Sequence, residues 1–416
     1  MAVILAYGSP SLGHLFPLAA LLRELGERGH EVHFRTMSSG VEKMRATGIN
    51  AEPVDARIEA IVGPDWMARN ALDVLKMSIE VLCERAVLEV DDLRASIARV
   101  RPDTVIVDAN CWGAMSSADA GDLPWLVFSP FTPYLRSQGV PPFGPGLRPL
   151  PGVVGRVRDA LIRPFVTHLF DRRIVPRINI LRAAVGAPTI GSVDDLMRRA
   201  PLLLAVGGEP FEYPHPGWGK GVHLVGACVF EPGPDPVPDW VVSIDRPIVL
   251  VNTSSIRQAD TVLADTALQA LAGEPVHVVA TFPAGVPQGL PVTPNSTVRQ
   301  FVPHGAILDR ACCAITHGGM GTTVKALDRG VPVCVVPFGR DQAEVARRVE
   351  VAGCGVRLPA DKLTAPALRD GVRRAMAMAD GARRVATGFA ATGGVGRGAD
   401  LVENHMLAAV ARQISD

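Results

Sequence analysis

The stretch His317-Gly318-Gly319-Met320-Gly321-Thr322-Thr323 constrains the fold of this chain more than any other. An apolar run, Cys312-Cys313-Ala314-Ile315-Thr316, leads into it. Val324, Leu327 and Val331 come next at helical spacing until Gly330 and Pro332 end the pattern. Strand, glycine turn, helix is the repeating unit of an α/β domain built on a parallel sheet. Glycine lets the backbone approach a ligand closely. The helix N-terminus offers unpaired N–H groups and a partial positive charge, which suit a diphosphate. The His317 imidazole can add a further donor. The same turn also occurs with no ligand, as a tight connection only, so by itself it does not establish a binding site.

A second apolar run, Val333-Cys334-Val335-Val336, lies directly downstream and continues through Pro337-Phe338-Gly339-Arg340 to the pair Asp341-Gln342. A carboxylate beside an amide offers acceptors and donors to adjacent sugar hydroxyls. A diphosphate site next to a hydroxyl grip suggests a nucleotide sugar. Residues 301–358 together closely resemble the donor signature of family 1 glycosyltransferases, including the bacterial natural-product and macrolide enzymes and the UDP-glucuronosyl/glucosyltransferases. Weaker similarity extends to the N-terminus. The resemblance implies an α/β fold with two Rossmann-like domains facing across a cleft, the GT-B architecture. It implies an acceptor held by the first domain and a dTDP- or UDP-sugar held by the second.

The chain opens the same way. Residues 2–6 are apolar, Gly8 and Gly13 flank a turn, and Leu18, Leu21, Leu22 and Leu25 give the next helix its buried stripe. No Gly-x-Gly-x-x-Gly fingerprint occurs, which disfavours a dinucleotide cofactor and hence a dehydrogenase. His14, in Gly13-His14-Leu15-Phe16-Pro17, stands where a turn or capping histidine would stand, and it also matches the family's catalytic-base motif. A partner acid is available: Thr104-Val105-Ile106-Val107 is a strand that ends in Asp108. Strand C-terminal ends of a doubly wound sheet share one edge, so His14 and Asp108 are expected to meet there. A carboxylate fixes the imidazole tautomer and stabilises its cation after proton uptake. The alternative for Asp108 is a cap on the following helix.

Donor contacts are expected from Thr253, Ser254 and Ser255, from the backbone at Val302, from His317, Gly318, Gly319, Met320, Gly321 and Thr322, and from Asp341 and Gln342. One position departs from the family. Many members carry Glu four residues after the last glycine of the motif, where it binds ribose hydroxyls; here that position is Lys325, which cannot accept hydrogen bonds. This is compatible with a dTDP-sugar, whose pentose lacks one hydroxyl. On the acceptor side, Trp66, Trp112, Met115, Phe131, Tyr134 and Phe143 are the candidates to line an apolar cavity, ordinary packing being the alternative.

The 42 basic and 42 acidic side chains balance, which leaves no electrostatic footprint for nucleic acid. The seven cysteines include no Cys-x-x-Cys and fall largely in apolar runs, as expected of small buried residues in a reducing compartment. No basic leader, no apolar run of transmembrane length and no Asp-x-Asp metal motif is present. The expectation is a cytoplasmic enzyme with no metal and no cofactor beyond the nucleotide sugar, and with no stable membrane contact; a homodimer is open. Glu231 to Pro238, rich in proline, marks the linker. The expected layout is an acceptor domain over 1–230, a linker over 231–246, a donor domain over 247–396 and a helix over 397–416 that packs back on the first domain. The expected reaction is inverting transfer to a hydroxyl of an apolar or aromatic acceptor. The alternatives are a sugar-nucleotide epimerase of the same fold and a non-catalytic nucleotide-sugar-binding protein.

Overall fold

The computed structural model describes the backbone of residues 1–64, 68, 71–231, 237–255 and 260–413, with side chains at all of these except 71 and 406–413. Its frame is two wholly parallel sheets. The first is made of β1 (Val3–Tyr7), β2 (Glu31–Thr36), β3 (Asn50–Pro53), β4 (Thr104–Asp108), β5 (Trp125–Ser129), β6 (Leu203–Ala205) and β7 (Val222–Leu224). The second is made of β8 (Ile248–Asn252), β9 (His277–Thr281), β10 (Ser296–Arg299), β11 (Ala311–Thr316), β12 (Val333–Val335) and β13 (Gly355–Arg357). Helices cover both faces, and the central strands β4, β5 and β8 are buried at every residue. That is why they read as continuous apolar runs rather than alternating ones.

The strand orders position the site. They run β3-β2-β1-β4-β5-β6-β7 and β10-β9-β8-β11-β12-β13. Each sheet therefore reverses direction once, between β1 and β4 and between β8 and β11. Ligands of open α/β sheets bind beyond the strand C-termini at such a reversal. At the first reversal lie Asp108, the last residue of β4, and α1 (Leu12–Glu27), which carries His14. At the second lie Asn252, the last residue of β8, and His317, which directly follows β11.

Six further helices bear on the site: α2 (Ala71–Val100), α3 (Trp112–Asp119), α4 (Gly152–Val185), α5 (Met320–Asp328), α6 (Gln342–Ala352) and α7 (Gly394–Gln413). The last of these returns to the first sheet. The Arg28 guanidinium at the end of α1 donates to Asp400 (2.8 Å), Glu403 (2.9 Å) and the Gly396 carbonyl (2.9 Å), and His30 adds a bond to Glu403 (3.0 Å).

A second junction is buried. Arg348 of α6, 3 % exposed, donates to Glu212 (2.8 Å) and to Glu344 (2.8 Å). Glu212 also accepts from the Thr132 hydroxyl (2.7 Å) and bonds His215 (2.9 Å), while Glu344 accepts from the backbone of Gly144 (2.8 Å) and Gly146 (2.7 Å). Burial drives the Glu212 carboxyl up, but Arg348 and His215 outweigh it and hold the group at about 2. The helix that begins at the donor side is thus fastened to the loops that follow β5.

Candidate active site

A cavity of about 1400 Å³, counting its open mouth, lies between the two reversals and draws its walls from both sheets. His14 projects into it from the first turn of α1. Its Nδ1 lies 2.8 Å and 3.0 Å from the two carboxylate oxygens of Asp108, which is fully buried. The Asn110 backbone N–H also donates to Asp108, at 2.8 Å, fixing the carboxylate from behind. Because Nδ1 is committed to Asp108, Nε2 is the nitrogen that takes a proton. The Asn110 amide is 3.4 Å from it, and the Phe131 ring meets the imidazole edge-on at 5.7 Å.

Across the cavity, the turn after β11 has the shape its glycines require. Gly318 has φ +91°, and a Cβ there would stand 3.0 Å from Gln342; Gly318 forms the turn without lining the cavity. At Gly319 a Cβ would stand 2.5 Å from His317 Nε2, so only glycine lets the ring lie over the start of α5. A Cβ at Gly321 would meet nothing within 4 Å. No side chain caps α5, so its first N–H groups remain for a ligand. His317, Gly319, Met320, Gly321 and Thr322 all border the cavity. His317 Nδ1 is 3.5 Å from the Asn252 carbonyl and 3.7 Å from Asp260, and burial lowers the imidazole pKa.

Behind the turn runs a polar chain. The Thr281 hydroxyl bonds His304 Nε2 (3.1 Å) and donates to Asn252 Oδ1 (3.0 Å); Asn252 Nδ2 in turn donates to the Thr322 hydroxyl (2.8 Å). Burial pushes His304 down to about 3, so it stays neutral. The chain leaves the Thr322 hydroxyl with its own proton to give. Thr253, Ser254 and Ser255 also border the cavity; the Thr253 hydroxyl is tied to the Thr281 carbonyl (3.1 Å) and the Ser254 N–H to Asp260 (2.5 Å). Val302 enters the wall beside Phe301, Pro303 and His304.

Burial raises the carboxyl pKa of Asp341, also in the wall, against a backbone hydrogen bond, Arg340 and, less strongly, His14 and His317. Gln342 is oriented differently from a simple sugar grip. Its amide oxygen accepts from the N–H groups of Phe338 (2.7 Å) and Gly339 (3.0 Å), so both of its lone pairs are engaged within the protein.

The aromatic candidates divide. Phe131 is in the cavity wall; Tyr134, 5.1 Å from it, continues to Phe143 (4.9 Å) and Phe170 (6.3 Å) around a separate hollow that Arg136, Arg163 and Asp171 also line. Trp112 and Met115, in contrast, are 1 % and 0 % exposed and belong to the core, not to the cavity. The cause is the approach of α3 to α2: a Cβ at Gly113 would stand 1.8 Å from the Ala86 carbonyl oxygen, so the two helices touch backbone to backbone and seal this face. Trp66 lies outside the described residues. Asn252, Asp260 and Asn110 were not singled out from the sequence; the one available signal was that the β8 run, like β4, ends in a polar residue. Among the described residues, no group of three His, Cys, Asp or Glu side chains is arranged to hold a metal ion, and no helix is long and apolar enough to cross a membrane.

The chain is similar to proteins of known activity. Residues 265–393 match the model for the erythromycin biosynthesis protein CIII-like C-terminal domain. The chain is 30 % identical over 389 residues to 4′-demethylrebeccamycin synthase of Lentzea aerocolonigenes, an alignment that spans 89 % of this chain and 91 % of that protein. Among solved structures, the calicheamicin glycosyltransferase CalG4 superposes with a TM-score of 0.73 at 22 % identity, over 98 % of this chain and 99 % of that one. The glycosyltransferase VinC in complex with dTDP superposes with a TM-score of 0.67 at 23 % identity, over 98 % and 100 %. The chain belongs to the family 1 glycosyltransferases of bacterial natural-product biosynthesis, enzymes of the GT-B fold.

Proposed function

We propose that this protein transfers a sugar, with inversion at the anomeric carbon, from a dTDP- or UDP-sugar to a hydroxyl of an apolar, aromatic natural product. One observation carries the reading: His14, backed by a buried Asp108, shares a cavity with the diphosphate-type turn 317–322, and Asp341 lies within electrostatic reach of both histidines.

In this reading His14 Nε2 removes the proton from the acceptor hydroxyl, and Asp108 stabilises the resulting imidazolium. The acceptor oxygen attacks the anomeric carbon as the carbon–oxygen bond to the β-phosphate breaks on the opposite face, which inverts the centre. The N–H groups opening α5, the Thr322 hydroxyl and His317 meet the negative charge that grows on the leaving diphosphate. Asp341 accepts from sugar hydroxyls. Phe131, in the cavity wall beside the His14 ring, offers the acceptor an apolar surface. An epimerase would make no use of the His14–Asp108 pair. All seven cysteines are free, which suits a cytoplasmic enzyme.

Calorimetric titration with dTDP and UDP tests the donor half of the reading. Micromolar binding that persists in EDTA is expected. Binding of neither nucleotide, or binding that EDTA abolishes, would remove it.

A further inference from the structure

The nucleotide end of the cavity contains charges that the chemistry above does not use. Lys325 and Glu231 both border it. The Lys325 ammonium lies 3.2 Å from the Glu231 carboxylate and donates to the Phe230 carbonyl at 3.4 Å. Arg329 holds the same Glu231 oxygen at 3.5 Å. The four residues come from two places in the chain: Lys325 from α5 and Arg329 from its C-cap, and Phe230 and Glu231 from the segment after β7 that leads to the second sheet. The Phe230 ring stacks on Phe16 of α1 at 5.9 Å, so this segment also touches the helix that carries His14.

Position identifies what the pair faces. Lys325 is four residues beyond Gly321, one helical turn along the same face of α5 from the diphosphate turn. Glu231 packs over the helical turn His304–Leu308 that comes after Val302: a Cβ added at Gly305 would stand 2.8 Å from its carboxylate oxygen. The charge of Lys325 is felt at His304, in that same turn. A nucleoside diphosphate joins its pentose directly to the α-phosphate. With the diphosphate at the start of α5 and the base toward Val302 and His304, the pentose falls between them, against Lys325 and Glu231.

We infer that Glu231 accepts a hydrogen bond from the pentose 3′-hydroxyl of the donor nucleotide and that Lys325 positions it, so a residue of the interdomain segment does the recognising. This rests on the donor-site reading above. The three N–H bonds of the Lys325 ammonium include one to Glu231 and one to Phe230, leaving one for the pentose oxygen. A 2′-hydroxyl is not required for this contact, so both dTDP and UDP satisfy it.

The test is calorimetry on the full chain with whichever of dTDP and UDP it binds, and with the 3′-deoxy form of that nucleotide. Wild type should bind the parent about tenfold more tightly than the 3′-deoxy form, the scale of one hydrogen bond to a charged acceptor. Glu231→Ala should lose that advantage for the parent while its affinity for the 3′-deoxy form stays within about twofold of wild type. Should Glu231→Ala fail to fold, Glu231→Gln, of the same shape, must cut the discrimination to roughly threefold or less for the inference to stand. Equal wild-type affinity for the two nucleotides, or equal weakening of both by Glu231→Ala, overturns it. Wild-type protein that binds neither dTDP nor UDP would instead remove the donor-site reading beneath it.

Discussion

Replacing Arg348 by Met should leave two buried carboxylates without their shared guanidinium, with only His215 still bonded to Glu212. Arg348 is 3 % exposed, and its partners Glu212 and Glu344 are 1 % and 5 % exposed. Removing one member of a buried charge network costs about 3–5 kcal/mol, because the remaining charges stay in the dry interior. Glu212 is held at about 2 against an ordinary 4.5 because Arg348 and His215 outweigh the upward push of burial, so the guanidinium stabilises the folded state. At about 2.1 cal/mol/K of unfolding entropy per residue over 416 residues, a cost of about 3–5 kcal/mol predicts a fall in Tm of roughly 3–6 °C.

The sign of the pH dependence separates this account from simple loss of packing. A carboxylate whose pKa is depressed on folding adds stability above its unfolded value, and that stability is lost as pH falls toward the folded value. The wild type should therefore be flat between about pH 5 and 8 on account of this group and weaken only in acid. Without the guanidinium, burial is the dominant influence left on Glu212 and raises its pKa. The variant should become more stable as pH falls from about 8 to 5, with Glu212 protonated in the folded state. Thermal unfolding of both proteins across that range is the assay. Parallel curves, or a loss below about 1 kcal/mol, would refute the claim that this network fastens the two halves of the molecule.

Two further predictions concern the donor side. Asp341→Ala should raise the KM for the nucleotide sugar about tenfold or more while the Kd for the free nucleotide stays within about twofold; equal loss of both would misplace the sugar grip. Burial keeps the His317 pKa below its ordinary 6.5, and a diphosphate over the ring favours the imidazolium, so binding should take up a proton and tighten as pH falls. Titrations at several pH values should show a steeper slope for wild type than for His317→Gln, which retains only the ionisation of the nucleotide itself. Identical slopes would remove His317 from the diphosphate site.

The sequence carried the parts that depend on local order. Strands buried on both faces appear as unbroken apolar runs, so β4, β8 and β11, and the glycine turn after β11, are legible one residue at a time. Asp108 is legible because it ends such a run, and His14 because it opens the helix in the turn that follows β1. What failed was any judgement of which way a side chain turns within a layer. Trp112 and Met115 come after a strand end just as Phe131 does, but the backbone contact at Gly113 turns them into the core. The Gln342 oxygen is consumed by two N–H groups that no spacing rule exposes. Glu212 and Arg348 are 136 positions apart, and nothing local to either marks the other. The pairing of Lys325 with Glu231 is of the same kind: the departure at Lys325 was visible, while the carboxylate beside it came from 94 residues away, across the link between the sheets.

The central claim, that His14 is the base of a sugar transfer in this cleft, is tested most directly by His14→Ala. The measurement pairs the rate of transfer to an aromatic acceptor, at saturating nucleotide sugar, with the Kd for the free nucleoside diphosphate. The account predicts a rate lower by about 10²–10⁴-fold, the usual contribution of a general base, with nucleotide affinity unchanged. A variant that transfers sugar at the wild-type rate, its fold and nucleotide binding intact, would contradict it.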